Sequence, residues 1–167
     1  QMALATAGIA NEGRIMAPHV VDQVIDQRGE IIDENDPELW TQAIDAETAA
    51  TTREAMRHVV SSGTATRLQI DGLDVGAKTG TAQFGSGEPL QSHAWVVAWA
   101  GPPGQAPTIA VAVIVEGQEG LSEQTGGRVA APIARAVIET SMQPMPEPPA
   151  PTTTTTVPSA TTTTGGG

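Results

Sequence analysis

Small apolar residues fill the chain from Met2 to Asn11, and their helix-forming character predicts a buried helix closed by Asn11-Glu-Gly13. Beyond Pro18, the segment from His19 to Gln27 sets valine and isoleucine between polar residues, meets Arg28-Gly29 and resumes as Glu30-Ile-Ile-Asp33. That is the pattern of a short β-hairpin. An acidic loop carrying Trp40 follows. Asp45 stands where it can cap a helix running to Ser62, with Ala49, Met56 and Val60 beside Ala46, Ala50 and Val59 on its apolar side and Gly63 just past its end.

The period then changes from helical to alternating. Leu73 to Gln83 reads as a strand, and the glycine-rich Phe84-Gly-Ser-Gly-Glu-Pro89 turns the chain. From His93 to Gly101, Trp95, Val97 and Trp99 alternate with Ala94, Val96, Ala98 and Ala100, so both faces are apolar and a central, doubly covered strand is expected. Thr108 to Glu116 repeats that doubly buried pattern and is expected to pair antiparallel with its predecessor. Gly126 to Thr140 predicts a closing helix with Ala130, Ile133 and Val137 toward the sheet and Pro132 confined to its first turn. From Pro144 the composition turns to Pro, Thr, Ala and Gly, which cannot bury enough apolar area to offset its ordering entropy. One domain is therefore expected over 1–143, with a disordered tail over 144–167. The element order makes the fold class α/β, in its segregated α+β form: helix, hairpin, helix, three antiparallel strands and a helix behind them.

Charge and composition narrow the chemistry. The net charge of −11 and pI near 4.5, with eight basic residues scattered singly, argue against a nucleic-acid partner. Absence of cysteine excludes a disulfide framework and a thiolate zinc site. His19, His58 and His93 lie far apart with no ligand spacing, and Asp33-Glu-Asn-Asp-Pro-Glu38 lacks the alternation and glycine of a calcium loop, so no metal is expected. Nothing in the sequence calls for a cofactor. The chain opens on Gln1 and holds no apolar stretch of membrane-spanning length; it reads as the C-terminal piece of something longer.

Lys78 is the only lysine in the sequence, and it stands in Gly76-Ala-Lys-Thr-Gly-Thr-Ala82. A strand edge that docks an extended peptide must offer unpaired backbone groups, and Gly80 lets a ligand backbone approach closely. Thr79 and Thr81 supply hydroxyls that can donate to a carboxylate, and the ammonium of Lys78 adds attraction and can assist nearby proton movement. A given tripeptide arises by chance in about one chain in thirty of this size, so the weight rests on its neighbours.

Those neighbours carry a resemblance. Leu4 to Gly13, Ala77-Lys-Thr-Gly-Thr-Ala82, His93-Ala-Trp95, Ile109 to Glu116, and Thr125-Gly-Gly with Ala130-Ala-Pro-Ile133, taken in this order, resemble the penicillin-binding serine transpeptidases. The likeness is strongest to the short class B penicillin-binding proteins of actinobacteria, and it runs from Gln1 to Met142. It implies the C-terminal half of the β-lactamase and penicillin-binding transpeptidase fold. It also implies a peptidoglycan D,D-transpeptidase that cross-links stem peptides through a serine acyl-enzyme and is acylated by β-lactams. By the same resemblance Lys78 is catalytic, Thr79 and Thr81 bind the substrate carboxylate, Thr81 lends its N–H to the oxyanion hole, and Gly80 keeps the strand open for the peptide. A membrane glycosyltransferase partner and an extracytoplasmic location, anchored by a helix upstream of Gln1, are implied as well.

Two family elements are missing. No Ser-x-x-Lys exists, since Val75 stands three residues before Lys78, and neither Asn11 nor Asn35 follows a serine by two. The nucleophile is therefore expected before Gln1, and this piece alone is expected to be inactive. Ser61, Ser62, Ser86 and Ser92 have no base at a helical spacing and read as ordinary serines. His93 and Trp95 are expected to bond locally and to fill core, respectively, and Arg128 to be a solvated residue at a helix start. A hydrolase of the same fold, a β-lactamase or carboxypeptidase, and a non-catalytic β-lactam sensor or scaffold are the alternatives.

Overall fold

The computed structural model describes residues 1–86, 90–117 and 124–143. The tail from Pro144 lies outside the described residues. Among the described residues two units are distinguished, one formed by residues 1–20 and 36–143 and one by residues 21–35.

In the larger unit the chain opens with α1 (Met2–Ala10) and β1 (Arg14–Met16). The smaller unit is the expected hairpin, in which β2 (Gln23–Ile25) and β3 (Ile31–Glu34) pair antiparallel across a bulge. Its turn follows from Asp26, whose Oδ1 accepts from the N–H groups of Arg28 (2.7 Å) and Glu30 (2.9 Å), and from Gly29 at φ +84°.

Back in the larger unit, β4 (Leu39–Gln42) pairs antiparallel with β1. This corrects the acidic-loop expectation for Trp40, which sits on a strand and is 63% exposed. The two strands are only three and four residues long and meet across an intervening hairpin, so neither shows enough alternation to be read by itself.

Next comes α2 (Ala46–Ser61), capped as expected. Asp45 accepts from the Thr48 N–H (2.7 Å) and the Thr48 hydroxyl (2.8 Å), and these donors hold its carboxyl below the ordinary carboxylate range. A depressed folded-state value means that the cap stabilises the helix when ionised. Its contribution is present above about pH 4, the unfolded value, and is lost as pH falls through the folded one. Asp45→Ala is thus expected to lower the melting temperature at pH 7 by more than at pH 3; an equal loss at both would contradict the cap. On α2, Ala49, Met56 and Val60 are buried as expected, whereas Ala46 and Ala50 are exposed. Arg53 occupies the same stripe and donates through Nη1 to the carbonyls of Ile9 and Ala10, each at 3.2 Å, closing the C-terminal end of α1.

A short turn (Thr66–Leu68) leads to β5 (Asp74–Phe84), β6 (Gln91–Gly101) and β7 (Ile109–Val115), an antiparallel sheet in the order β5-β6-β7. Opposite faces of this sheet carry two cores. On one, Val75, Ala77, Val96, Ala98, Ala100 and Val111 pack with Ala130, Ala134 and Ile138; on the other, Trp99 packs with Ala10 and Met56. Alanines predominate, so helix and sheet backbones approach closely. Three expectations are corrected here. α1 buries only Thr6, Gly8 and Ala10, in its second half, and leaves Met2, Ala3 and Ala5 exposed instead of being buried throughout. β7 is an edge strand among the described residues, so it buries only Val111 and leaves Ile114 exposed instead of being covered on both faces.

The third correction concerns the closing helix. It begins as a π-type turn (Gly126–Ala130) and continues as α3 (Ala131–Ser141), with Pro132 in the first α-turn. Ile133 and Val137 are 47% and 45% exposed, while Ala131, Ala134 and Ile138 are buried. The wide i→i+5 turn inserts one residue relative to a continuous α-helix, which moves the buried face forward by one position. Ala130 itself is buried, as expected.

Candidate functional site

The strand that bears Lys78 has β6 on one side and no strand on the other among the described residues. Its first part is clamped. Val75, Gly76 and Ala77 are buried, and the indole of Trp99 lies so close to Gly76 that a Cβ there would come within 2.3 Å of Trp99 Cζ2. Over the same indole sits the Arg57 guanidinium, 5.0 Å from the ring centroid. Arg57 also forks onto Asp74, with Nε 2.9 Å from Oδ1 and Nη2 2.7 Å from Oδ2, and reaches Glu54 at 2.8 Å. The hydrogen bonds to Asp74 raise the affinity of the guanidinium for its proton, partly offset by desolvation, and the hydrogen bond to Glu54 adds to the rise. Arg57 thereby fixes α2 to the residue that starts β5. Lysine can keep the charge but not the fork or the stack. Arg57→Lys is expected to lower stability by about 1 kcal/mol, given the partial exposure of the pair; an unchanged urea midpoint would contradict that role.

Beyond the clamp the strand opens to solvent. Lys78, Thr79, Gly80 and Thr81 lie opposite Val97, Val96, Trp95 and Ala94, respectively. Strand alternation puts Lys78 and Gly80 on one face and Thr79 and Thr81 on the other. Lys78 and Thr81 are exposed, while Thr79 and Gly80 are half-buried. The ammonium and the two hydroxyls therefore flank the open edge from opposite sides, and a ligand lying along that edge can meet both. Lys78 Nζ donates to the carbonyl of Thr79. Gly80 is backed by Trp95, whose Cβ is 3.3 Å from where a glycine Cβ would stand.

The four motif residues expected from the sequence are thus adjacent on one exposed edge. Sequence reasoning missed what surrounds them. Thr64 Oγ1 is 2.6 Å from Thr79 Oγ1, Gly126 lies directly against the backbones of β5 and β6, and Gly127 against that of Thr64. A Cβ on Gly126 would stand 1.9 Å from the Trp95 carbonyl oxygen and 3.0 Å from that of Gly80. The glycine pair itself was visible; what it packs on depends on tertiary structure.

His93 does not bond locally. Its Nδ1 accepts from the N–H of Gly117, 24 residues on, at 3.0 Å, and its ring stacks on Phe84 with centroids 4.1 Å apart. Trp95 is half-buried, and Trp99 is the large aromatic that fills core. Arg128 is exposed, and its carbonyl accepts from Arg67 Nη1 at 2.8 Å. Ser61 and Ser62 turn back on the His58 carbonyl, Ser92 is buried and Ser86 is exposed. None of these serines stands beside a base in any hydrogen bond of the described residues. No helix among them is long and apolar enough to cross a membrane.

This arrangement, a Lys-Thr-Gly-Thr edge strand in an antiparallel sheet between helices, has its match in known proteins. The penicillin binding protein transpeptidase domain matches residues 1–139, and the chain belongs to that family. Among curated relatives, it is 36% identical over 145 residues to the peptidoglycan D,D-transpeptidase PbpA of Mycolicibacterium smegmatis, covering 86% of this chain and 29% of that protein. Among solved structures, penicillin-binding protein A from M. tuberculosis, as its penicillin G acyl-enzyme complex, superimposes with a TM-score of 0.68 at 36% identity, covering 84% of this chain and 31% of that one. The D,D-transpeptidase domain of the peptidoglycan glycosyltransferase from Eggerthella lenta gives 0.67 at 34% identity, covering 83% and 30%. The chain thus spans under a third of the length of each of these relatives.

Proposed function

We propose that this chain is the C-terminal part of a serine D,D-transpeptidase domain that cross-links peptidoglycan stem peptides and is acylated by β-lactams. The observation that carries the proposal is the placement of Lys78, Thr79, Gly80 and Thr81 along one open strand edge. A serine supplied by sequence before Gln1 attacks the β-lactam carbonyl; its oxygen bonds to that carbon, the ring C–N bond breaks and the proton ends on the nitrogen. Lys78 supports that proton movement and draws in the substrate carboxylate, which an acidic protein would otherwise repel. The hydroxyls of Thr79 and Thr81 hold the carboxylate, the N–H of Thr81 stabilises the developing oxyanion, and Gly80 leaves room for the peptide backbone. With a stem peptide, the acyl group then passes to the amine of a neighbouring strand.

The site works on the outer face of the cell membrane, held there by an upstream helix and beside a membrane glycosyltransferase. The peptidoglycan activity in the name of the M. smegmatis relative supports the location, and the transpeptidase domain of the Eggerthella lenta glycosyltransferase supports pairing of the two activities. Ring opening releases no leaving group. Intact-mass spectrometry of the complete protein after penicillin G is therefore expected to show a gain of one whole penicillin molecule; an unchanged mass would overturn the proposal.

A further inference from the structure

The Thr64 hydroxyl is hydrogen-bonded to the side chain of the motif residue Thr79, and the surroundings of Thr64 hold it in place. It follows the C-terminal end of α2. Ala65, next in the chain, is fully buried and donates its N–H to Val59. On the other side, the carbonyl oxygen of Thr64 would be 1.9 Å from a Cβ on Gly127, so only a glycine permits this approach. The same Gly127 position is 3.7 Å from Thr79 Cγ2. The methyl of Thr79 is thus turned toward the glycine turn and its hydroxyl toward Thr64, which selects one rotamer of a β-branched side chain. Arg67 Nη1 donates to the Arg128 carbonyl, tying the segment after Thr64 to the same turn.

A hydroxyl has one proton to give. When Thr64 donates to Thr79 Oγ1, the proton of Thr79 is left to point elsewhere, and the open strand edge is where an acceptor can arrive. We propose that Thr64 is a positioning residue that orients the Thr79 hydroxyl to donate to the carboxylate of the bound peptide or β-lactam. This rests on the carboxylate-binding role proposed above for Thr79. It implies that Thr64 acts on acids and has little effect on ligands whose carboxylate is masked.

The test compares penicillin G with its methyl ester as acylating agents of the complete protein, each followed by competition against a fluorescent penicillin. The unmutated protein is expected to prefer the acid, and Thr79→Val to reduce that preference. Thr64→Val, which keeps shape and removes the hydroxyl, is expected to reduce it by about five-fold, the size of one neutral hydrogen bond, with Thr64→Ser restoring it. In the Thr79→Val background, Thr64→Val should have no further effect. An unchanged acid preference in Thr64→Val, with Thr79→Val reduced, overturns the role of Thr64 alone. An unchanged preference in Thr79→Val overturns the role of Thr79 and this one with it. A Thr64→Val loss equal for acid and ester would mark Thr64 as merely structural and overturn the proposal.

Discussion

Trp99→Ala is expected to destabilise the domain by about 3–5 kcal/mol, the range for emptying a large buried aromatic site. Trp99 is fully buried, faces Ala10 and Met56, lies under the Arg57 guanidinium and presses on Gly76. Removing the indole leaves a cavity, deprives Arg57 of its stacking partner and frees β5 at the residue two before Lys78. Trp99→Phe is expected to cost much less, because the ring stack survives and the indole Nε1 has no hydrogen-bond partner among the described residues. A second signature follows from the 2.3 Å approach at Gly76. Gly76→Ala should be damaging alone but milder in the Trp99→Ala background, where space has been made, so the pair should be non-additive. Denaturant midpoints of the complete protein for the two single variants and the double variant test this; simple additivity would contradict the contact.

Lys78→Ala is expected to slow acylation by penicillin G by about 10²- to 10⁴-fold, the range for losing a proton-transfer group. Within this chain Lys78 is the only lysine, and the net charge of −11 leaves it as the cation at the motif strand that draws in a carboxylate. Lys78→Arg separates the two contributions. The guanidinium keeps the attraction but does not give up its proton. Apparent affinity should therefore be largely kept in Lys78→Arg while the rate of covalent bond formation falls as in Lys78→Ala. Stopped-flow acylation of the complete protein reads both quantities; a rate unaltered in Lys78→Ala would remove this lysine from the chemistry.

The large features of this fold are local in origin and so can be read along the chain. Alternation over β6, the Asp45 cap of α2 and the turn at Arg28-Gly29 each depend on residues within a few positions of one another. Lys78, Thr79, Gly80 and Thr81 are equally plain because they are contiguous. What stays hidden needs contacts between distant segments or a change of helical pitch. The pairing of β1 with β4 joins two very short strands, and the face of α3 moves by one residue because of a π-turn that no spacing rule anticipates. Thr64 looks like any threonine after a helix until Gly127 and Thr79 are brought against it.

The most direct measurement of the proposed site is a crystal structure of the complete protein acylated by penicillin G. The carboxylate of the bound drug is expected about 3 Å from the hydroxyls of Thr79 and Thr81, along the open edge of β5, with Lys78 beside the serine that carries the acyl group. A carboxylate bound away from this strand, out of reach of the hydroxyls of Thr79 and Thr81, would contradict it.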